Sequence, residues 1–330
     1  MSIKIIEWQD ADLEELRVLY LHFPYPPYFG SPIINERLQA YRFRCVQRAA
    51  EASPGTLFVV ANKGKILCAA QLRRIAHLSD HLGIEVASIA NEAFVCDNEA
   101  VNAQAFSMLL QNLAESANRK KVAFLTVSSA SSCHQWIRAL EDTGFRYADG
   151  FCHAIEDMTN DYNHLLLNDM IVRDPIESDF KEILFSFDNV PFSSYLFLER
   201  EFERKKVVSL YANRYREVYE SKSGKVFIGV IDGMFMGALN GIIDPDILAE
   251  TGMIVNHLSQ GIILHPRALG KGVALGLIAF RHNWYREMGM PYCYQGANIN
   301  NIPMIRGFQK MKVKHAGIEI KMILRLRNQG

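Results

Sequence analysis

The chain has 330 residues, 49% of them apolar and 22% charged, which is the balance of a globular protein long enough for two domains. Lys plus Arg and Asp plus Glu both number 36, so the formal net charge is zero. That balance lacks the basic surplus of a non-specific nucleic-acid binder, so we expect no nucleic-acid partner.

The chain opens with a strand at Ile3–Glu7 and a helix from near Asp10, where Leu13, Leu16, Leu19 and Tyr20 recur at helical spacing. FPYPPYFGSP (Phe23 to Pro32) breaks it and is a candidate lid or a packed turn. TLFVVANKGKILCAAQLR reads as a hairpin turning at Asn62-Lys63-Gly64. A strand in IEVASIANEAFV, a helix over 100–117, a strand in KVAFLTV, a helix over 133–142 and a strand over 152–156 follow. The polar, turn-rich stretch 159–169 reads as the boundary between domains 1–160 and 170–330. Beyond it the order repeats: a strand and helix in MIVRDPIESDF, helix over 199–218, and a hairpin turning at Asp232-Gly233. A strand in MIVNHLSQGIILHP, a helix over 274–288, the strand PYCYQGA, a helix over 302–311 and the strand IEIKMILRL complete it. Two copies of β-α-β-β-β-α-β-α-β predict a tandem repeat of one α/β (α+β) fold.

The N-terminal stretch turns acidic without a signal-peptide core, and no run reaches the roughly 20 apolar residues of a membrane span. We therefore expect a cytoplasmic protein. Cys45, Cys68, Cys96, Cys133, Cys152 and Cys293 form no CxxC pair, so they read as reduced thiols, with neither a disulfide framework nor a metal site. Cys133 and His134 are adjacent, and neighbours on a helix point different ways, so they read as packing residues.

LHPRALGKGVALGLI (Leu264 to Ile278) places a bare, basic loop between a strand and a helix. It is neither a Walker loop, because Gly272 follows Lys271, nor a dinucleotide fingerprint, because the third glycine is missing. Its glycines admit a ligand to the backbone, and a helix N-terminus supplies amide donors, so it suits an anion. A tight turn needing glycine geometry is the alternative.

These motifs resemble the GNAT superfamily of N-acetyltransferases, whose signature is a strand, Pro, then [Gln/Arg]-x-x-Gly-x-[Gly/Ala]. Arg267-x-x-Gly270-x-Gly272 fits the letters. Leu269-x-x-Gly272-x-Ala274 fits the family's spacing from Pro266. YQGANINNIPMIRGFQKM looks like the family's following strand, asparagine and helix. This stretch and FSSYLFLEREFERKKVVSLY most resemble dTDP-fucosamine acetyltransferase and its relatives. The resemblance implies tandem GNAT-like domains, each a mixed, mostly antiparallel twisted sheet flanked by helices. It also implies an acetyl-CoA or other acyl-CoA co-substrate held by Ile262, Ile263, Leu264, Arg267, Leu269, Gly270, Lys271, Gly272, Val273, Ala274, Asn298, Asn301 and Phe308.

The implied activity moves an acetyl group to a primary amine of a small molecule, such as a nucleotide amino sugar. A longer acyl donor serving a peptide or natural-product amine, and a non-catalytic acyl-CoA-binding module, are the alternatives. About one primary amine in a thousand is neutral at pH 7, so a base helps; His257 is the candidate. Phe308 falls at the family's usual tyrosine acid, and Tyr294 or Tyr292 is the candidate replacement for protonating the thiolate. The first half has no glycine between Gly83 and Gly144, and Asp97 and Glu99 stand where its loop would be. It reads as a degenerate copy that binds no CoA.

Overall fold

The computed structural model describes residues 3–25, 36–95, 99–191, 194–222, 224–243, 245–251 and 261–326. By compactness the chain divides into two units, Met1–Gly150 with Gly317–Gly330, and Phe151–Ala316.

The first unit begins with β1 (Ile3–Glu7), α1 (Leu13–Leu21), α2 (Glu36–Ala52), β2 (Leu57–Asn62) and β3 (Lys65–Arg74). It continues with α3 (Ala76–Leu82), β4 (Val86–Phe94), α4 (Glu99–Arg119), β5 (Phe124–Ala130), α5 (His134–Asp142) and the start of β6 (Arg146–Asp157). Asp12 starts α1 by accepting from the amides of Glu14 and Glu15 at 2.9 and 3.0 Å. The β2–β3 hairpin turns where expected, with Lys63 and Gly64 at φ +52° and +88°. β1, β2, β3 and β4 pair antiparallel in turn, and β4 pairs parallel with β5 only over Val86–Ile89. Past that point Phe94 packs on Phe106 and Trp136 in the buried core. Helix α2 was not legible in the sequence. Its buried face carries Leu38, Phe43, Val46 and Ala50 at helical spacing, but Gln39 and Arg42 interrupt the apolar stripe.

The second unit holds the rest of β6, then β7 (Ile171–Arg173), α6 (Glu177–Asn189), α7 (Tyr195–Leu198), α8 (Arg204–Ser221), β8 (Gly224–Ile231) and β9 (Met234–Ile242). α9 (Pro245–Thr251), β10 (Ile262–Leu264), α10 (Val273–Glu287), β11 (Tyr292–Asn298), α11 (Ile302–Lys310) and the start of β12 (Lys314–Arg325) follow. The expected long strand before Pro266 is described only as Ile262–Leu264, because residues 252–260 lie outside the described residues. One antiparallel sheet runs β10-β9-β8-β7, and β11 pairs antiparallel with β6. In the stretch 159–169, read as the boundary between domains, Leu165, Leu166 and Leu167 lie against the core that contains Val273 and Leu277.

The last strand of each sequence half serves the other unit. Glu319–Arg325 of β12 pairs with β5 in the first unit, and Phe151–Asp157 of β6 pairs with β11 in the second. The units therefore do not coincide with 1–160 and 170–330. A fragment 1–160 leaves β5 without its Glu319–Arg325 partner, and a fragment 170–330 leaves β11 without β6, each an open edge prone to aggregate. Expressed separately, both fragments are expected to be insoluble or unfolded by circular dichroism. Two independently folded fragments would overturn this topology.

Candidate functional site

In the second unit β10 and β11 are edge strands of different sheets, with no ladder joining them among the described residues. α10 spans both. Its Leu277 meets Gly229 of β8, its Trp284 meets Gly241 of β9, and its Arg281 bonds Gln295 of β11. Helix α10 therefore packs on both sheets, and its N-terminus follows β10 directly in the chain through residues 265–272.

The loop before α10 is turned by its own backbone. Ala268 N–H donates to His265 O at 2.8 Å and Lys271 N–H to Ala268 O at 3.2 Å. Gly270 and Gly272 stand at φ +77° and +81°, the left-handed region that favours glycine. Gly272 is the N-cap of α10 and brings no side chain to it. The first intrahelical bond is Gly276 N–H to Gly272 O, so the amides of Val273, Ala274 and Leu275 have no acceptor within the helix. Lys271 is exposed beside them. Uncapped amides, a positive helix end and a lysine make a site for an anion of phosphate type.

Arg267 does not join Lys271. It folds back, with Nε donating to His265 Nδ1 at 2.9 Å and Nη1 lying 3.1 Å from Met234 Sδ. His265 is 7% exposed and stacked on Phe185 with ring centroids 5.4 Å apart. Burial, then Arg267, holds its pKa below the ordinary value. Leu269 is half exposed at the loop's crest.

Antiparallel parity orients the β10 amides. His265 N–H bonds Met236 O on β9 at 2.9 Å, so Ile263 also turns to β9, and Ile262 and Leu264 turn away from it. Of the three β10 residues assigned to the co-substrate, Ile263 is engaged with β9, and the amides of Ile262 and Leu264 are turned away from it. Sequence reasoning missed Tyr215 of α8. Its buried hydroxyl donates to Gly261 O at 2.9 Å and ties down the start of β10. Burial pushes its pKa far up, so it holds position and does not titrate.

Asn298 Oδ1 accepts from Asn300 N–H at 2.9 Å, and Asn301 Oδ1 caps α11 at the amide of Met304. Phe308 is 1% exposed in the core with Ala268, Val273 and Leu277. On β11, Cys293 and Gln295 face α10, so Tyr292 and Tyr294 occupy the opposite face. Tyr294 is 2% exposed and stacked on His153, centroids 5.0 Å apart. The expected base, His257, lies outside the described residues.

A buried network that the sequence did not disclose anchors α10. Glu156 of β6 has no exposed surface. Its Oε2 accepts from Arg281 Nη2 at 3.1 Å and from Gln295 Nε2 at 2.9 Å, and its Oε1 lies 2.6 Å from His282 Nδ1. His282 Nε2 lies 2.9 Å from Asn160 O, which can only accept, so the ring donates there. Contacts separated by more than a hundred residues leave no local pattern to read.

At the level of sequence, no family model and no curated protein matches the chain. In structure it is similar to a GCN5-related N-acetyltransferase from Sphaerobacter thermophilus, with a TM-score of 0.61 and 10% identity over 98% of this chain and 96% of that one. A tandem GNAT protein from the clavulanic acid biosynthesis pathway matches with a TM-score of 0.55 and 11% identity over 98% of each chain. A GCN5-related glucosamine N-acetyltransferase region in a fungal multi-domain β-N-acetylglucosaminidase matches with a TM-score of 0.59 and 10% identity, covering 97% of this chain and 38% of that one. The chain has the GNAT fold along its whole length, in keeping with two tandem copies.

Glu156→Ala would leave Arg281 buried without its countercharge. We expect a loss of about 3–5 kcal/mol in unfolding free energy by urea titration. A loss below about 1 kcal/mol would show that the network does not anchor α10.

Proposed function

We propose that the second unit is an acyl-CoA-dependent N-acyltransferase that moves an acetyl group from acetyl-CoA to a primary amine of a small molecule. The observation that carries this reading is the uncapped N-terminus of α10, with Gly270, Gly272 and Lys271, directly after the edge strand β10. The amides of Val273, Ala274 and Leu275 and the Lys271 ammonium bind the CoA pyrophosphate. The amide of Ile262 or Leu264 polarises the thioester carbonyl and stabilises the oxyanion that forms when the amine attacks. The tetrahedral carbon then expels the thiolate, and Tyr294 or Tyr292 gives it a proton. A thiol pKa near 8.5 makes CoA a tolerable leaving group even when that donor is slow. His257 or ordered water takes the proton from the amine. The nucleotide amino sugar as acceptor rests on the resemblance of Gln295–Asn298 and 192–211 alone.

The non-catalytic reading draws on Phe308, which has no proton to give. A longer acyl donor remains the other enzyme reading. Release of free thiol from acetyl-CoA and from long-chain acyl-CoA, with a panel of amines, tests all three.

Gly272→Asp is expected to fold. Its Cβ meets only Leu167 Cδ2 at 3.5 Å, and the left-handed φ costs about 1 kcal/mol. The added carboxylate should abolish CoA binding by calorimetry; unchanged affinity would end this assignment of the loop. Tyr294→Phe should lower kcat with CoA affinity nearly constant. Retention of full kcat would make Tyr294 a packing residue.

A further inference from the structure

The first unit contains a buried cation with donors to spare. Arg42 of α2 is 8% exposed and lies over the rings of Tyr20 and Phe23, 5.3 and 5.5 Å from their centroids. Its Nη2 donates to Glu92 O at 2.9 Å, while Nε and Nη1 are buried with no hydrogen-bond partner. Three residues earlier on the same helix, Gln39 is 4% exposed, and its Oε1 also lacks a partner. Through the Glu92 carbonyl, Arg42 reaches a bulge in β4. The β3–β4 register shifts between Ala69 and Gln71, and Asn91 stands at φ +55°. Tyr20 satisfies the Asn91 carbonyl at 2.7 Å, and Asn91 Nδ2 donates to Gln71 Oε1 at 3.1 Å.

One carbonyl does not need a guanidinium; Tyr20 serves its neighbour with a neutral hydroxyl. A desolvated charge with idle donors is costly unless an anion meets it. Burial holds the Arg42 pKa below its ordinary value, with Tyr20 and Glu92 opposing. The nearby Glu92 carboxyl is no ready counter-ion at mildly acid pH, because burial pushes it up to about 7 despite Arg42. Glu319 of β12 raises it further.

We propose that the first unit binds a small monocarboxylate on Arg42, between the Tyr20 and Phe23 rings and the β4 bulge. The single positive charge matches a monoanion. The aromatic walls match an apolar body, and the unused N–H groups match carboxylate oxygens. A dianionic phosphate would face the same single charge with Glu92 beside it. The sign of the pH effect follows from Glu92. As pH rises through about 7 its carboxylate forms, competes for Arg42 and weakens the ligand.

The test uses the full-length protein, with benzoate and acetate compared with chloride, sulfate and phosphate at matched ionic strength. Thermal unfolding and calorimetry are read near pH 6 and near pH 8.5. Benzoate is expected to raise Tm by a few degrees near pH 6 and by less near pH 8.5. Gly272→Asp should retain this response, which separates the site from the α10 loop and from the fate of the acyltransferase reading. Arg42→Met should lose the response, with ligand-free stability unchanged or raised. Arg42→Lys should bind benzoate about tenfold or more weakly than wild type, because it keeps the charge and loses the planar donors. Wild-type protein that responds to no carboxylate beyond chloride overturns the proposal. So does an equal response in Arg42→Met, a stronger response to sulfate or phosphate, or a response that grows toward pH 8.5.

Discussion

Glu156 is the buried carboxylate on which the geometry of the second unit turns. It lies on β6, and its partners Arg281 and His282 lie on α10 and Gln295 on β11. The same helix presents its uncapped amides at its N-terminus, after the loop that follows β10. A helix can offer fixed donors to an anion only if the helix is itself fixed. The apolar contacts of Leu277 and Val273 hold α10 against its sheet, but apolar contact is non-directional. The ionic and hydrogen-bonded contacts to β6 and β11 add direction. Glu156 reaches this unit only because β6, which closes the first half of the sequence, pairs with β11.

The two copies treat their fourth strand differently. In the second unit Tyr215 of α8 bonds the carbonyl of Gly261, a neutral contact with its hydroxyl fully used. In the first unit Arg42 of α2 bonds the carbonyl of Glu92, and most of its donors stay idle. After β4 the sequence has no glycine between Gly83 and Gly144. Phe94, Phe106 and Trp136 pack together past the last paired residues, and Trp136 has no exposed surface. One copy presents backbone donors at a helix end, and the other presents a buried guanidinium.

Much of this was legible in the sequence because local chemistry forced it. The hairpins at Asn62-Lys63-Gly64 and Asp232-Gly233, the glycines of the loop, the helix after them, and the repeat order were all readable from turn residues and periodicity. What was not legible depends on distant partners. Helix α2 was hidden by Gln39 and Arg42, the polar residues that its buried face now makes conspicuous. The exchange of β6 and β12 is invisible because an alternating strand does not state which edge it joins. The roles of Glu156 and Tyr215 arise from contacts across the fold.

The proposed chemistry requires that CoA bind once, at the α10 loop of the second unit. Calorimetric titration of the full-length protein with CoA tests it most directly, with wild type and Gly272→Asp side by side. One CoA per chain is expected for wild type and none for the variant. Two per chain, or one retained in the variant, would contradict it.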